Sequence, residues 1–291
     1  MNKLSLSHIA LFIVALIYGA NYSIAKILMD PGWIQPNAFI LLRVLSAAFL
    51  FWLFAKSHKQ IDPADYNSFI ICAICGVAGN QLLFFNGLKM TSPLHAALIM
   101  VCTPILVLLI KSIKGDQLTK LQWAGCIIGL FGAIFLILSG SQTSVKNASL
   151  AGDIMVLLNA ILYSIYLLKV PALIEKYNAF SVMKWIFLIA LVPVLIFGAL
   201  ELPQIHFNSF ELPEWSAFLF VLIATTFVAY ALNAYALENS NAELVSHYIY
   251  LQPLLATFIA IGLKKDVITF NHVSSGLLIF IGLYMSSQNK N

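Results

Sequence analysis

The chain has 291 residues, of which 61% are hydrophobic, with only 16 basic and 12 acidic side chains. Charged residues make up 10% of it, against about 25% in a typical soluble domain, and the mean hydropathy is +0.91. This composition excludes a water-soluble enzyme, a secreted disulfide scaffold and a nucleic-acid-binding protein. It predicts an all-α integral membrane protein.

Hydrophobic runs bounded by Pro, Gly, Asn and charge predict ten transmembrane helices of roughly the ~20 residues that cross a bilayer. The first five are Ser7–Leu28, Pro36–Ala55, Tyr66–Leu88, Pro93–Ile110 and Leu121–Ser139. The second five are Leu150–Val170, Ala179–Leu200, Pro213–Leu237, Ala242–Leu263 and Phe270–Ser286. The longest polar stretches, 139–149 and 201–214, are short enough to be simple loops.

The distribution of basic residues predicts the orientation of these helices. With the N-terminus in the cytoplasm, nine basic residues fall on the cytoplasmic side, five fall outside, and Arg43 and Lys184 lie within spans. Because cytoplasmic loops are enriched in Lys and Arg, we expect a multi-pass protein of the plasma (inner) membrane with both termini in the cytoplasm.

The four cysteines, Cys72, Cys75, Cys102 and Cys126, all fall inside apolar runs. A buried thiol behaves there as a small hydrophobic group. The spacing of Cys72 and Cys75 would be typical of a redox or metal pair in a soluble protein, but the run holds no second ligand pair. We expect no disulfide, no metal site and no cofactor.

An internal repeat is the most informative feature of the sequence. Residues of the first half match residues of the second at offsets between 141 and 150. The matches include Asn37 with Asn178, Arg43 with Lys184, Tyr18 with Tyr163, Pro104 with Pro253, and Thr119 with Thr269. Nearly constant offsets predict a duplicated unit, with copies at 7–139 and 150–286. Because each copy has an odd number of spans, the second is inverted relative to the first.

Particular motifs give the chain a resemblance to a known family. They are Tyr18-Gly19, Arg43, Leu88-Lys89-Met90-Thr91-Ser92, Pro104, Gly115-Asp116-Gln117-Leu118-Thr119, Gly125 and Gly132, echoed in the second copy by Pro253, Lys265-Asp266-Val267-Ile268-Thr269 and Gly282. In these motifs the chain resembles the EamA family of the drug/metabolite transporter superfamily, whose members carry two five-helix domains. It departs from the family at Asp116, where Glu is usual, at Lys265, which replaces a Gly, and at Ser275, which matches Gly125.

The resemblance implies export or exchange of small metabolites such as amino acids. It also implies a central cavity lined by helices one, three, four, six, eight and nine.

Inverted repeats around a midplane site are the architecture of many secondary transporters with alternating access. We therefore expect a secondary transporter that exports such metabolites. No enzyme motif lies at membrane depth; the alternative is a membrane-embedded receptor or an enzyme without a recognisable catalytic motif. The expected partners are a small-molecule substrate and the lipid bilayer, without nucleic acid, and the chain is expected to be a monomer or homodimer.

Polar and aromatic side chains that share helix faces are the candidate substrate cavity, because intramembrane polar groups tend to face a bundle interior. They are Tyr18, Asn21 and Tyr22 on helix one, Asn80 and Phe84 on helix three, His95 on helix four, Asn159, Tyr163 and Tyr166 on helix six, Tyr230 and Asn233 on helix eight, and His247 and Tyr250 on helix nine. The alternative for each is a role in helix packing or as an interface anchor.

Charged and proline residues complete the candidates. Arg43 and Lys184 are intramembrane basic residues that either snorkel to headgroups or meet an anion inside the protein. No Asp or Glu is expected deep in a span, so possible proton coupling is assigned to Glu243 and His247, with a solvated acid beside a structural histidine as the alternative.

Pro104 and Pro253 are predicted hinges in helix interiors, or static kinks. Helices four and nine carry no basic residue in their spans, which disfavours phosphorylated substrates.

Overall fold

The structure is a computed structural model that describes residues 3–55, 61–140, 149–263 and 268–286. Every regular element among these residues is helical, as predicted. The α-helices of the first half are α1 (Lys3–Met29), α2 (Pro36–Phe54), α3 (Tyr66–Ala73), α4 (Gly79–Met90), α5 (Pro93–Met100), α6 (Thr103–Ile113) and α7 (Lys120–Gly140). Those of the second half are α8 (Leu150–Tyr177), α9 (Ala179–Gly198), α10 (Leu212–Leu219), α11 (Ala229–Asn239), α12 (Ala242–His247), α13 (Leu251–Gly262) and α14 (Phe270–Ser286).

Seven helical runs of the described residues are long and apolar enough to cross a membrane. They are Lys3–Met29, Pro36–Phe54, Pro63–Met90, Pro93–Ile113, Leu150–Tyr177, Ala179–Gly198 and Leu212–Asn239. Shorter apolar helices lie at Lys120–Phe135, Leu244–Ile259 and Phe270–Ser286. Large apolar side chains such as Phe49, Ile127 and Phe131 are 60% to 65% exposed on the outside of the bundle, as expected of a surface that faces lipid.

Two of the long runs change their helical pitch in the middle. Ile74–Ala78 joins α3 to α4, and Phe220–Val228 joins α10 to α11, and both segments are π-helical. They lie in the third and eighth predicted spans, which are equivalent helices of the proposed duplication. A π-helical segment shifts the backbone hydrogen bonds by one residue, and such segments are frequent at functional sites.

Helix breaks precede both prolines that were predicted to lie in helix interiors. Pro104 is the second residue of α6, which starts after a break behind Met100, and Pro253 is the third residue of α13, which follows a 3₁₀ turn at Tyr248–Tyr250. Proline fits the first turn of a helix because the N–H groups there have no intrahelical acceptor. Each proline therefore begins a new helical segment rather than kinking a continuous one, and its role as a hinge stays a prediction.

Helices α7 and α14 pack closely through glycines. A Cβ atom built on Gly125, near the start of α7, would lie 2.5 Å from the backbone nitrogen of Ser286 at the end of α14. A Cβ on Gly132 would lie 2.8 Å from the Cβ of Leu278, further back along α14. The contacts thus advance in opposite directions along the two helices, so the pair is antiparallel.

Helices α2 and α9 form a second antiparallel pair. The carboxylate of Glu201, just beyond the end of α9, accepts hydrogen bonds from the Asn37 and Ala38 backbone N–H groups at 2.8 and 3.0 Å. It also accepts one from the Asn37 side-chain amide at 2.7 Å. These N–H groups at the start of α2 have no intrahelical acceptor, so the acid satisfies them and its charge suits the positive end of the helix dipole.

A polar cluster ties the segment before α3 to the end of α8. Lys176 lies 3.1 Å from a carboxylate oxygen of Asp62 and 2.6 Å from one of Asp65, and the Tyr177 hydroxyl donates to Asp65 at 2.6 Å. The Ala64 N–H and the Lys176 ammonium lower the pKa of Asp62. The charged form of Asp62 is therefore favoured. As the pH falls, its ion pair with Lys176 persists until the pH reaches the lowered pKa of Asp62.

Replacing Gly282 by alanine should destabilise the protein, because the added Cβ would lie 2.3 Å from the backbone nitrogen of Gly129 and 2.6 Å from the oxygen of Gly125. Backbone atoms of α7 cannot rotate away, so α7 and α14 must separate at a cost of about 1 to 3 kcal/mol. Reversible unfolding by SDS in mixed micelles measures this change.

Gly276→Ala on the same helix is the matched control. Its Cβ would meet only Leu98 Cδ2, at an ordinary 3.6 Å, so its stability should stay close to that of the wild type. Equal effects of the two substitutions would show that helix propensity rather than the close contact sets the stability of this pair.

Candidate functional site

A cavity with polar and aromatic walls lies inside the bundle and holds about 550 Å³ of space free of protein atoms, including space open to solvent. Helices from both halves of the chain surround it, including α1, α2, α4, α5, α8, α11 and α13. Its lining residues are Tyr18, Asn21, Tyr22, Arg43, Asn80, Gln81, Phe84, Phe85, Met100, Asn159, Tyr163, Thr225, Tyr230, Ile249 and Gln252. Aromatic faces with a few polar groups are typical of sites for small organic molecules.

The cavity brings together eight of the thirteen residues assigned to it from the sequence. They are Tyr18, Asn21, Tyr22, Asn80, Phe84, Asn159, Tyr163 and Tyr230. The i, i+3 and i+4 spacing on α1 places three of them on one face, and the equivalent stretch of α8 supplies two more. On α1 and α8, helical spacing therefore predicted residues that turn toward the cavity.

The other assigned residues lie elsewhere. Tyr166 stacks on Tyr163 with ring centres 5.8 Å apart, and its hydroxyl points to the Met183 sulfur at 3.7 Å. Asn233 lines a small neighbouring pocket together with Tyr18 and Tyr163.

The predicted proton-coupling pair does not form part of the described cavity lining. His247 is exposed, whereas the side chains of Glu243 and Tyr250 lie outside what the structure describes. Proton coupling through Glu243 and His247 therefore stays a prediction.

Sequence reasoning missed several residues that line the cavity. They are Gln81, Phe85, Met100, Thr225, Ile249 and Gln252. Gln252 precedes Pro253 at the start of a new helical segment. The direction of the Gln252 side chain therefore could not be derived by extending the helix before it. Gln81 and Phe85 are the chain neighbours of Asn80 and Phe84 on α4, so the i, i+4 spacing selected only one edge of the face that turns toward the cavity.

Hydrogen bonds at the cavity join the first half of the chain to the second. The Tyr22 hydroxyl donates to the side-chain oxygen of Gln252 at 3.0 Å, and the Asn159 amide donates to the Asn80 backbone oxygen at 2.8 Å. The Tyr230 hydroxyl donates to the backbone oxygen of Gly76 at 2.8 Å. Gly76 lies in the π-helical segment, and the absence of a Cβ lets the ring of Tyr166 pack against it.

Arg43 is the one cation among the described residues that line the cavity. The residue is 2% exposed, and its guanidinium carbon lies 4.1 Å from the centre of the Phe85 ring. Lys184, at the equivalent position of the second half, is also buried, with its ammonium 4.8 Å from the Trp185 ring centre, but it is not part of the cavity lining.

A buried acid that the sequence did not single out lies near the start of the sixth predicted span. Asp153, in the first turn of α8, is 1% exposed. One of its oxygens lies 3.0 Å from Nδ1 of His95 on α5, and the other accepts a hydrogen bond from the Thr91 hydroxyl. His272 of α14 packs edge-on against His95, with ring centres 5.0 Å apart. His95 therefore belongs to a junction between the halves rather than to the cavity.

Lys26 extends this junction to α1. Its ammonium donates to the backbone oxygens of Leu88 and Thr91, both at 2.9 Å, and lies 3.4 Å from a carboxylate oxygen of Asp30. These bonds satisfy the carbonyl groups at the end of α4, which have no intrahelical donor. No group of three His, Cys, Asp or Glu side chains suited to a metal ion occurs among the described residues, and the four cysteines are free and buried.

Comparison with known proteins adds independent information. The family model for the EamA-like transporter family matches residues 5–138 and 150–288, so it matches the chain twice. A solved crystal structure with 18% sequence identity covers 97% of both chains with a TM-score of 0.64. At 18% identity, this structural similarity is evidence of a shared fold alone.

Curated relatives match along nearly their whole length. The uncharacterized transporter YyaM of Bacillus subtilis is 23% identical over 97% of this chain and 95% of its own. An uncharacterized transporter of Archaeoglobus fulgidus is 22% identical over 97% and 98%. The uncharacterized inner membrane transporter YedA of Escherichia coli K12 is 24% identical over 93% and 87%. Together with the apolar helices, these matches show a multi-pass membrane protein.

The junction of Asp153 and His95 should contribute strongly to stability. We expect Asp153→Ala and His95→Ala each to lower the free energy of unfolding by about 3 kcal/mol, because each leaves a buried polar partner unpaired. The double variant should lose clearly less than the sum of the two. SDS titration of all four proteins in mixed micelles measures this coupling.

Asp62→Ala serves as the control, since it removes a carboxylate from the exposed ion pair with Lys176 and should change stability far less. Strict additivity of the two buried substitutions would contradict a direct interaction between Asp153 and His95.

Proposed function

Because the chain belongs to the EamA-like transporter family, we propose that it is a secondary transporter that exports small organic metabolites such as amino acids by alternating access. The observation that carries this proposal is the cavity whose lining comes from both matched halves. A site between two similar bundles can open to one side when the bundles rock in one direction and to the other side when they rock back.

The arrangement of the halves supports ten spans in two inverted copies. The equivalent helices α7 and α14 run antiparallel, and α2 and α9 do the same, with Gly198 at the end of α9 close to Asn37 at the start of α2. Antiparallel equivalents are what an inverted repeat requires. The excess of basic residues in alternate loops supports termini in the cytoplasm and a location in the plasma membrane.

The cavity is built for a solute rather than for a chemical reaction. Its described lining contains no carboxylate, histidine, cysteine or serine. Aromatic rings, three asparagines and one arginine instead offer contact area and hydrogen bonds. Because the cavity lies inside one chain, a monomer suffices for transport, and a homodimer of two such units is equally compatible with it.

The inversion of the copies has a direct test by cysteine labelling. Gln117→Cys lies in the turn before α7 and Ile268→Cys in the turn before α14, and both positions are exposed. We expect a membrane-impermeant maleimide added outside intact cells to label only Ile268→Cys, with Gln117→Cys reacting after the membrane is opened. The four native cysteines are buried, so their background labelling should be low. Labelling of both positions from one side would exclude the inverted topology.

Solute flux in proteoliposomes tests the proposed function itself. We expect the purified protein to release preloaded radiolabelled amino acids, screened one at a time over the standard twenty. Asn159→Ala should lower the rate of the transported compound about tenfold, because it removes a hydrogen bond worth about 1 to 1.5 kcal/mol at the cavity.

Asn239→Ala is the matched control. The Asn239 amide bonds only within its own helix, to the Tyr235 backbone oxygen at 2.8 Å, and it does not line the cavity, so flux should be unchanged. Flux by neither the wild type nor any variant across the whole panel, with correctly inserted protein, would argue against export of amino acids.

A further inference from the structure

The side chain of Arg43 is a buried cation with no counter-ion among the described residues. It is the sole arginine of the chain, and its Nε and Nη1 atoms are buried and have no hydrogen-bond partner among the described residues. Its guanidinium instead packs against the ring of Phe85 and borders the cavity. A buried group with unused donors of this strength points to a ligand that supplies the acceptors.

The cost of burying this charge argues against a purely structural role. A guanidinium loses its hydration in a protein interior, and an aromatic face replaces only part of that stabilisation. No Asp or Glu belongs to the described lining, and the junction acid Asp153 is already engaged by Thr91 and His95. An anionic group on a bound solute would offset the cost, and the planar fork of arginine matches a carboxylate with two parallel hydrogen bonds.

The equivalent position of the second half shows that only one such charge faces the cavity. Lys184 packs near Trp185 and stands outside the lining. The approximate two-fold relation between the halves is thus broken at this position, and Arg43 is the single cation among the described lining residues. One cation fits a monoanionic carboxylate, whereas a phosphate dianion is better matched by two or more basic side chains.

The cavity also holds acceptors suited to the other end of an amino acid. The side-chain oxygens of Asn21 and Asn159 are buried and have no hydrogen-bond partner among the described residues. Amide oxygens of this kind accept hydrogen bonds from an ammonium group, and the rings of Tyr18 and Tyr163 add faces that attract a cation. The aromatic lining leaves apolar surface for a side chain.

We propose that Arg43 binds the carboxylate of the transported solute, with the Asn21 and Asn159 oxygens accepting hydrogen bonds from its ammonium group. This inference rests on the proposed function, since it names the solute as a zwitterionic amino acid. It assigns the two ends of the solute to opposite chemical groups of the cavity.

Binding to purified protein in detergent tests the inference without requiring transport. The twenty standard amino acids are screened at millimolar concentration for an increase in the thermal unfolding temperature. The amino acid that stabilises the wild type most is then compared with its C-terminal amide, which keeps the ammonium and side chain but lacks the carboxylate. We expect the amide to bind at least about 30-fold more weakly.

Variants locate this preference at one side chain. Arg43→Gln should weaken binding of the amino acid at least about 30-fold while changing binding of the amide little, because the amide has no carboxylate to lose. Arg43→Lys keeps the charge without the planar fork and should fall between the wild type and Arg43→Gln. Lys184→Gln removes the equivalent buried charge outside the cavity and should bind as the wild type does.

The possible results separate the two proposals. Equal binding of acid and amide by the wild type, unchanged affinity in Arg43→Gln, or stabilisation by none of the twenty amino acids would overturn the role of Arg43. The acid–amide comparison uses wild-type protein, so equal binding of the two would overturn the proposal even if Arg43→Gln fails to fold. The 2-oxo acid with the same side chain keeps the carboxylate but lacks the ammonium group. If it binds as tightly as the amino acid, the proposed contacts of Asn21 and Asn159 with the ammonium group are wrong. Carboxylate-dependent binding without flux in proteoliposomes would contradict transport but not the binding site.

Discussion

The hydrocarbon core of a bilayer supplies no hydrogen-bond partners, and this constraint determines where polar and apolar side chains lie throughout the structure. A polar group within it must find a partner inside the protein, because leaving it unpaired costs several kcal/mol. The outer surface accordingly carries large apolar side chains such as Phe49 and Phe131, while the polar side chains of the inner helices turn toward one another. The polar interior of the bundle is therefore concentrated between the two halves, where both can contribute partners.

Duplication explains the frame of the cavity but not its chemistry. Tyr18 and Tyr163 occupy equivalent positions in the two halves and both line the cavity, as the internal repeat predicts. Arg43 and Lys184 are equivalent too, yet only the arginine borders the cavity. In the proposed inverted repeat the equivalent helices α2 and α9 remain antiparallel, whereas individual side chains have diverged. A solute with two different ends needs such an asymmetric environment, because a symmetric one would bind both ends alike.

Helical periodicity predicted the cavity-lining residues of α1 and most of those assigned on α8, because both are continuous helices. It missed lining residues near irregular helical segments. Gln81 and Gln252 follow a π-helical segment and a 3₁₀ turn, and neither irregularity has a clear signature in hydrophobic patterning. Tyr166 shares a face with Tyr163, but the glycine at position 76 lets its ring lie against the neighbouring backbone instead. The burial of Asp153 depends on Thr91 and His95, which are distant in sequence, so sequence reasoning did not single out this residue.

The hydrogen bonds of the cavity wall also bear on how it can open. Tyr22 to Gln252, Asn159 to Asn80, and Tyr230 to Gly76 each connect one half of the chain to the other. In the proposed alternating access, rocking the halves apart on one side breaks the bonds that lie on that side, and the freed groups need new partners. Water entering from the open side can satisfy them, and so can a solute. A solute that engages groups from both halves favours states in which they are close together, so its binding energy can drive closure around it.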